Sequence, residues 1–152
     1  MDIHEYQAKE LLSGYGVKIA EGALAYSPED AVQRARDIGG HIWAVKAQIH
    51  SGARGKAGGI KICKTHEEVA EAAEYLLGKR LVTHQTGPAG KVCSRLYIEA
   101  GTEITKELYF CFLVDRGSER IVMVGSSQGG MDIEELAETN PDAITKIYIE
   151  PA

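Results

Sequence analysis

The sequence predicts an α+β (α/β) protein of two lobes, and three observations lead there. Over the first hundred residues helical periodicity alternates with short extended runs, each change marked by glycine. Beyond Gly87-Pro88-Ala89-Gly90 the pattern becomes consecutive extended segments joined by tight turns, as hairpins require. The join falls near Ala100-Gly101-Thr102, a place where an α/β protein can hold a ligand in a cleft.

Each element has a local reason. Asp2 and Glu5 have the spacing of a capping box, and Ile3, Tyr6, Ala8, Leu11 and Leu12 follow at helical intervals. A helix over 3–14 is expected, stopped by Gly14 and Gly16. Gly22–Tyr26 reads as a short strand. Ser27-Pro28-Glu29-Asp30 opens a second helix with a hydroxyl cap, proline in the first position and acids in the first turn. It should reach Asp37 or Ile38 and stop at Gly39-Gly40. His41–Ile49 contains the apolar run Ile42-Trp43-Ala44-Val45, interrupted by Lys46; so short a run beside glycines suits a central strand. Ser51–Gly59 is a loop, and Ile60–Cys63 returns as a strand. Thr65-His66-Glu67-Glu68 caps a helix carrying Val69, Ala72, Ala73 and Leu76, ended by Gly78. Ser94–Glu99, Lys106–Asp115 and Glu119–Ser126 read as three strands, Asp132–Glu138 as a short helix and Thr145–Glu150 as a final strand.

Composition excludes several classes. With 152 residues, 44% apolar and 26% charged, the chain is neither disordered nor collagen-like and is too short for a large multi-domain enzyme. No apolar run approaches the roughly 18 residues of a membrane span, and Met1-Asp2-Ile3-His4-Glu5 lacks a secretory pattern. Cys63, Cys93 and Cys111 are odd in number and far apart, as for reduced thiols in a cytoplasmic setting. The net charge of −5 hides an asymmetry. Between Ile38 and His66 no acidic residue occurs, yet Lys46, Arg54, Lys56, Lys61 and Lys64 do; from Gly129 onward the balance reverses. Such a local cationic field attracts phosphates or other anions, whereas the remaining acidic surface would repel nucleic acid.

The stretch Val45–Gly59 is the most informative. Its glycines let backbone amides approach an anion closely, Arg54 and Lys56 add mobile charge, and Lys46 is held more rigidly one strand-length earlier. A lysine on a central strand must snorkel out or neutralise an anion. Neither a Walker A loop nor Gly-x-Gly-x-x-Gly is present. Three readings stay open on spacing alone: a flexible basic hairpin covering phosphates, a solvated basic loop, or a nucleic-acid clamp. Glu99, Thr102 and Glu107 flank the lobe junction, where carboxylates accept hydrogen bonds from ribose hydroxyls or an exocyclic amine; the bland alternative pairs Glu107 with Lys106 or Arg116. His4, His41, His50, His66 and His84 do not group at metal-ligand spacing, no Cys-x-x-Cys occurs, and no nucleophile–base pair stands out.

Several stretches resemble the β subunit of succinate–CoA ligase: Ile3-His4-Glu5-Tyr6-Gln7-Ala8-Lys9, Val45-Lys46-Ala47-Gln48, the His50–Gly59 loop, Leu77–Thr83, Gln85-Thr86-Gly87, Lys106–Tyr109 and Gly129–Glu134. Trp43–His50, Gly52–Lys61 and Ser127–Gly130 resemble the related malate–CoA ligase somewhat more; Gly52-Ala53-Arg54-Gly55 stands where many succinate enzymes have Gly-Gly-Arg-Gly. The resemblance implies an ATP-grasp fold, two lobes with mixed or antiparallel sheets, incomplete because the chain is truncated. Residues 20–100 would form the first nucleotide-binding lobe and residues 1–19 with 101–152 the start of the second, with the CoA-ligase domain absent and Pro151-Ala152 opening a linker.

It further implies that Lys46 contacts ATP or ADP phosphates, with GTP as an alternative. Ala53, Arg54 and Gly55 would belong to the covering loop, through backbone amides at Ala53 and Gly55. Glu99, Thr102 and Glu107 would line the nucleotide pocket, and Mg²⁺ ligands would lie beyond residue 152. In the family the nucleotide phosphorylates a histidine on a partner α subunit, the phosphoryl group passes to the dicarboxylic acid, and CoA attacks the acyl phosphate. The implied partners are that α subunit, in a heterodimer or heterotetramer, with CoA and the acid, and neither nucleic acid nor membrane. Catalysis by this chain alone is not expected; a non-catalytic anion- or nucleic-acid-binding module, or an assembly surface for the α subunit, is the alternative.

Overall fold

Caps and glycine stops divide the chain into short elements. The computed structural model describes residues 3–130 and 133–150. In chain order the elements are α1 (Glu5–Gly14), β1 (Gly22–Ala25), α2 (Pro28–Ile38), β2 (Trp43–Ala47), β3 (Ile60–Cys63), α3 (His66–Leu76), β4 (Arg80–Leu81), β5 (Lys91–Val92) and β6 (Leu96–Ala100). They continue with β7 (Tyr109–Asp115), β8 (Arg120–Ser126), α4 (Ile133–Thr139), a 3-10 turn at Pro141–Ala143 and β9 (Ile144–Ile149). Two compact units result, Met1–Thr102 and Glu103–Ala152.

The first unit is built on an antiparallel sheet of order β1-β6-β2-β3. Trp43 pairs with Ala100, Val45 with Ile98 and Ala47 with Leu96, so these side chains share one face. That face forms the core with Ala31 and Ala35 of α2 and Val69, Ala73 and Leu76 of α3. The alanines let the helices approach closely, and burying Leu76 alone contributes on the order of 2 kcal/mol. Both helices start as their sequences dictate. Ser27 Oγ accepts from the Asp30 N–H and Thr65 Oγ1 from the Glu68 N–H, each at 3.1 Å. Gly39 and Gly78, at φ +74° and +75°, turn the chain away in a conformation that other residues resist. The Trp43 indole N–H donates to the Gly39 carbonyl at 2.9 Å, fastening the end of α2 to the central strand.

The opposite face of the sheet carries Ala44 and Lys46 of β2 opposite Glu99 and Tyr97 of β6. The first helix reaches this face: Glu5 and Lys9 pair with Lys46 and Glu99 there, and Lys9 Nζ lies 5.7 Å from the Tyr97 ring centre. The sequence groups residues 1–19 with the second lobe; the contacts of α1 lie in the first unit, because its charged side is drawn to the charges on the sheet. Its apolar side, with Leu11 and Leu12, is exposed, and none of its residues is buried. The expected Asp2–Glu5 capping box lies partly outside the described residues. The helix begins at Glu5, and Gln7 Oε1 accepts from the His4 N–H at 2.9 Å.

The second unit is an antiparallel meander of order β7-β8-β9. Its hairpin turn is held by Asp115, whose Oδ1 accepts from the Gly117 N–H at 3.0 Å and whose Oδ2 accepts from the Ser118 hydroxyl at 2.7 Å. The strand expected from Lys106 begins at Tyr109, since the ladder with its partner ends at Ser126; before it, Glu107 keeps a backbone bond, accepting from the Gly129 N–H at 3.1 Å. The start of the last helix at Asp132 lies outside the described residues, as does Pro151-Ala152. Val122, Val124 and Leu136 are buried, while Phe110, Phe112, Val114, Ile121, Ile147 and Ile149 share the other face of the sheet and are exposed. The two-residue ladder of β4 with β5 was not foreseen; it closes the 82–90 loop and is too short to show any periodicity.

Candidate functional site

Lys46 is fixed by its place in β2, two residues along from Ala44 on the face turned away from the core. An ammonium on a sheet needs compensating charge, and the fold supplies two carboxylates. Lys46 Nζ donates to Glu5 Oε1 at 3.0 Å and pairs closely with Glu99 Oε2. Lys9 pairs closely with the other oxygen of Glu99, which is 6% exposed. Arg54 Nη2 donates to Glu5 Oε2 at 2.6 Å, and Gln48 Nε2 donates to the same oxygen at 3.2 Å. Lys9, Lys46 and Arg54 against Glu5 and Glu99 make three cations and two anions, a cluster with one positive charge in excess. Burial works to raise the Glu5 carboxyl, but Arg54 and then Lys46 outweigh it and hold it at about 2. Burial and the neighbouring Lys46 together lower the Lys9 ammonium, against the pull of Glu5.

The glycine-rich loop between β2 and β3 makes specific bonds to its surroundings. Arg54 turns inward: its Nη1 donates to the Ala47 carbonyl at 2.7 Å while Nη2 holds Glu5, and its side chain is 15% exposed. The charge expected to be mobile is therefore anchored. Ser51 Oγ lies 2.6 Å from Thr83 Oγ1, and the Gly52 N–H donates to Gln85 Oε1 at 2.7 Å. The Gly59 N–H donates to the Arg54 carbonyl at 2.7 Å, and an added Cβ there would come within 2.9 Å of Leu81 Cδ1. Ala53 adopts φ +55°, the left-handed region that costs an alanine about 1 kcal/mol. Among the described residues, the backbone N–H groups of Ala53 and Gly55 have no acceptor within the protein. Two hollows flank the loop. One of about 560 Å³ is lined by Glu5, His50, Ser51, Gly52, Arg54 and Gln85 among others. The other, of about 600 Å³, is lined by Ala53, Lys56, Ala57 and residues 82–84 with Gly87 and Pro88.

A glycine loop over a cluster with one positive charge in excess has the charge an anion needs. The structure thus brings Lys46, Arg54 and Glu99 together, with Ala53 and Gly55 on the same loop as Arg54. Thr102 ends the first unit and is exposed. Glu107 belongs to the second unit and is exposed; its carboxylate lies against Gly130, where an added Cβ would fall 2.1 Å from Oε2. Sequence reasoning placed Glu5 only in a helix cap and gave no site role to Glu5 or Lys9. For Glu5 the signal was the demand of Lys46 for a counter-charge, but the two lie 41 residues apart along the chain. The buried Cys63 thiol is pushed up to about 11, chiefly by burial and then by Glu68 and Glu71, which suits a packed side chain and not a nucleophile.

Comparison with known proteins follows the same lines. The family model for the ATP-grasp domain matches residues 2–152. A "Probable malate--CoA ligase subunit beta" of Mesorhizobium japonicum is 57% identical over 99% of this chain, which covers 38% of that relative. A "Succinate--CoA ligase [ADP-forming] subunit beta" of Bdellovibrio bacteriovorus is 56% identical over 99% of this chain and 39% of its own length. The chain thus spans less than two fifths of these curated relatives. Among solved structures, the dinucleotide-forming acetyl-coenzyme A synthetase 1 of Ca. Korarchaeum cryptofilum aligns with a TM-score of 0.70 at 22% identity, over 99% of this chain and 62% of that one. That likeness concerns the fold. With a family match along almost its whole length, the chain belongs to the ATP-grasp domain family.

Proposed function

We propose that this chain is the nucleotide-binding part of the β subunit of an ADP-forming acid–CoA ligase, acting on succinate or malate. The observation that carries the reading is the charged cluster of Lys46 and Arg54 on Glu5, which joins the glycine loop to the central strand, in a chain whose relatives carry ligase names. The Ala53 and Gly55 N–H groups and Lys46 take the phosphates of ATP or ADP, GTP being the alternative. Glu99, Thr102 and Glu107 accept hydrogen bonds from the ribose and base.

The reaction joins acid and CoA at the expense of ATP, through a phosphohistidine on a partner α subunit, in the cytoplasm. This chain's part is to bind and orient the phosphate tail. Mg²⁺ arrives with the nucleotide and neutralises charge on it. Among the described residues no three His, Cys, Asp or Glu side chains are placed to hold a metal ion, so no residue of this chain is assigned to it. The nucleic-acid reading loses its main support, because Arg54 faces Glu5 and the Ala47 carbonyl.

Calorimetric titration of the complete subunit with ADP–Mg tests the proposal. Micromolar binding that Lys46→Ala weakens at least tenfold, a loss of about 1.4 kcal/mol or more, is the expected result. Equal heats for wild type and variant contradict it.

A further inference from the structure

The first two residues to reach the sheet from α1 grip the glycine loop at two separate points. The His4 ring stacks on His50, where the loop begins, with ring centres 3.9 Å apart and planes 19° from parallel. Glu5, the next residue, holds Arg54 in the middle of the loop through Oε2 at 2.6 Å and Lys46 on the strand through Oε1 at 3.0 Å. One carboxylate therefore joins the loop to the lysine beneath it. The other arm of Arg54 is spent on the Ala47 carbonyl at 2.7 Å. This guanidinium has thus been committed to protein acceptors at the end of β2 and on α1. It ties the middle of the loop to the end of β2 and to α1.

We propose that Glu5 is a positioning residue of the anion site, acting through Arg54 on the loop and directly on Lys46, and that the Arg54 side chain is a tether of the loop and not a phosphate ligand. This rests on the nucleotide reading given above. The geometry decides between two roles for Glu5. A carboxylate that merely filled the seat of a phosphate would need to contact Lys46 alone. Glu5 instead bridges two cations on different elements and also takes a bond from the buried Gln48 amide, whose Oε1 accepts from the Tyr6 N–H at 3.4 Å. Such a bridging carboxylate is built in, and its full charge persists at any pH at which the protein would work. Groups that orient a binding residue from behind typically matter by roughly ten- to a hundredfold in affinity when removed.

The test measures ADP–Mg affinity in the complete subunit for wild type, Glu5→Gln, Arg54→Lys and the double variant, together with the nucleotide KM and kcat of the assembled enzyme. Glu5→Gln keeps the shape and removes the charge; Arg54→Lys keeps the charge and removes one of the two arms. The expected result is a loss of roughly tenfold or more for each single variant. The double variant should be no worse than the weaker single one, and the loss should appear in nucleotide KM more than in kcat. Where Glu5→Gln melts below the titration temperature, Glu5→Asp, which keeps the charge but is one methylene too short to hold both cations, replaces it with the same expected loss, and wild-type affinity there overturns the proposal. Wild-type affinity in Glu5→Gln, tighter binding, or losses that add in the double variant overturn the proposal while leaving the nucleotide reading intact. Failure of the wild type to bind ADP–Mg overturns both.

Discussion

Glu5 illustrates how much a single side chain can decide. It contributes a permanent negative charge to a partly buried site, and its cost of burial is offset by two cations and an amide. Its folded value, about 2, lies below the 4.5 of an unhindered glutamate, so the stability it contributes is present above about pH 4.5 and is lost as pH falls towards 2. The difference corresponds to on the order of 3 kcal/mol. Urea unfolding between pH 7 and pH 3 should therefore show a loss of stability that Glu5→Gln flattens. A variant with the same acid slope as wild type would remove Glu5 from the account. Burial, with His50, Arg95 and Arg54, also lowers the pKa of the His4 imidazole that stacks on His50.

At the level of elements, the loop between β2 and β3 is the part most exposed to backbone strain. Ala53 sits at φ +55°, where glycine has no steric penalty. Ala53→Gly relieves that strain but loosens the unfolded chain, and the net expectation is a gain of up to about 0.5 kcal/mol. Thermal unfolding checks this; a lower melting temperature would mean that the alanine methyl is held by contacts worth more than the strain. Legibility in the sequence varied with the range of the forces involved. Helices α2 and α3 were readable because Ser27 and Thr65 act on donors three residues away, while Pro28, Gly39 and Gly78 act on their own φ. The central position of β2 was readable from its apolar run. The 4–5 ladder was not, since two residues carry no period, nor was the true start of β7, set by where its partner ends. For the site, Lys46 and Arg54 stood out by charge in a glycine-rich stretch and Glu99 by its place near the lobe junction, while Ala53 and Gly55 were singled out by the family resemblance. The inward turn of Arg54 was hidden, because it depends on Glu5, 49 residues away.

Over the whole molecule, two antiparallel units divide the work. The first has a core on one side of its sheet and a charged cluster on the other, so folding itself assembles the cluster. The second pairs a partly buried face with an exposed apolar one carrying Phe110, Phe112 and Val114, a kind of surface that marks a contact site. None of the described helices is long and apolar enough to cross a membrane. The central claim is that the glycine loop and Lys46 grip a phosphate tail while Glu5 grips them from behind. A crystal structure of the complete subunit with a non-hydrolysable ATP analogue tests it most directly. The account predicts phosphate oxygens about 3 Å from the Ala53 and Gly55 nitrogens and from Lys46 Nζ, with the Arg54–Glu5 pair still closed. Phosphates bound elsewhere, with those amides facing only water, would contradict it.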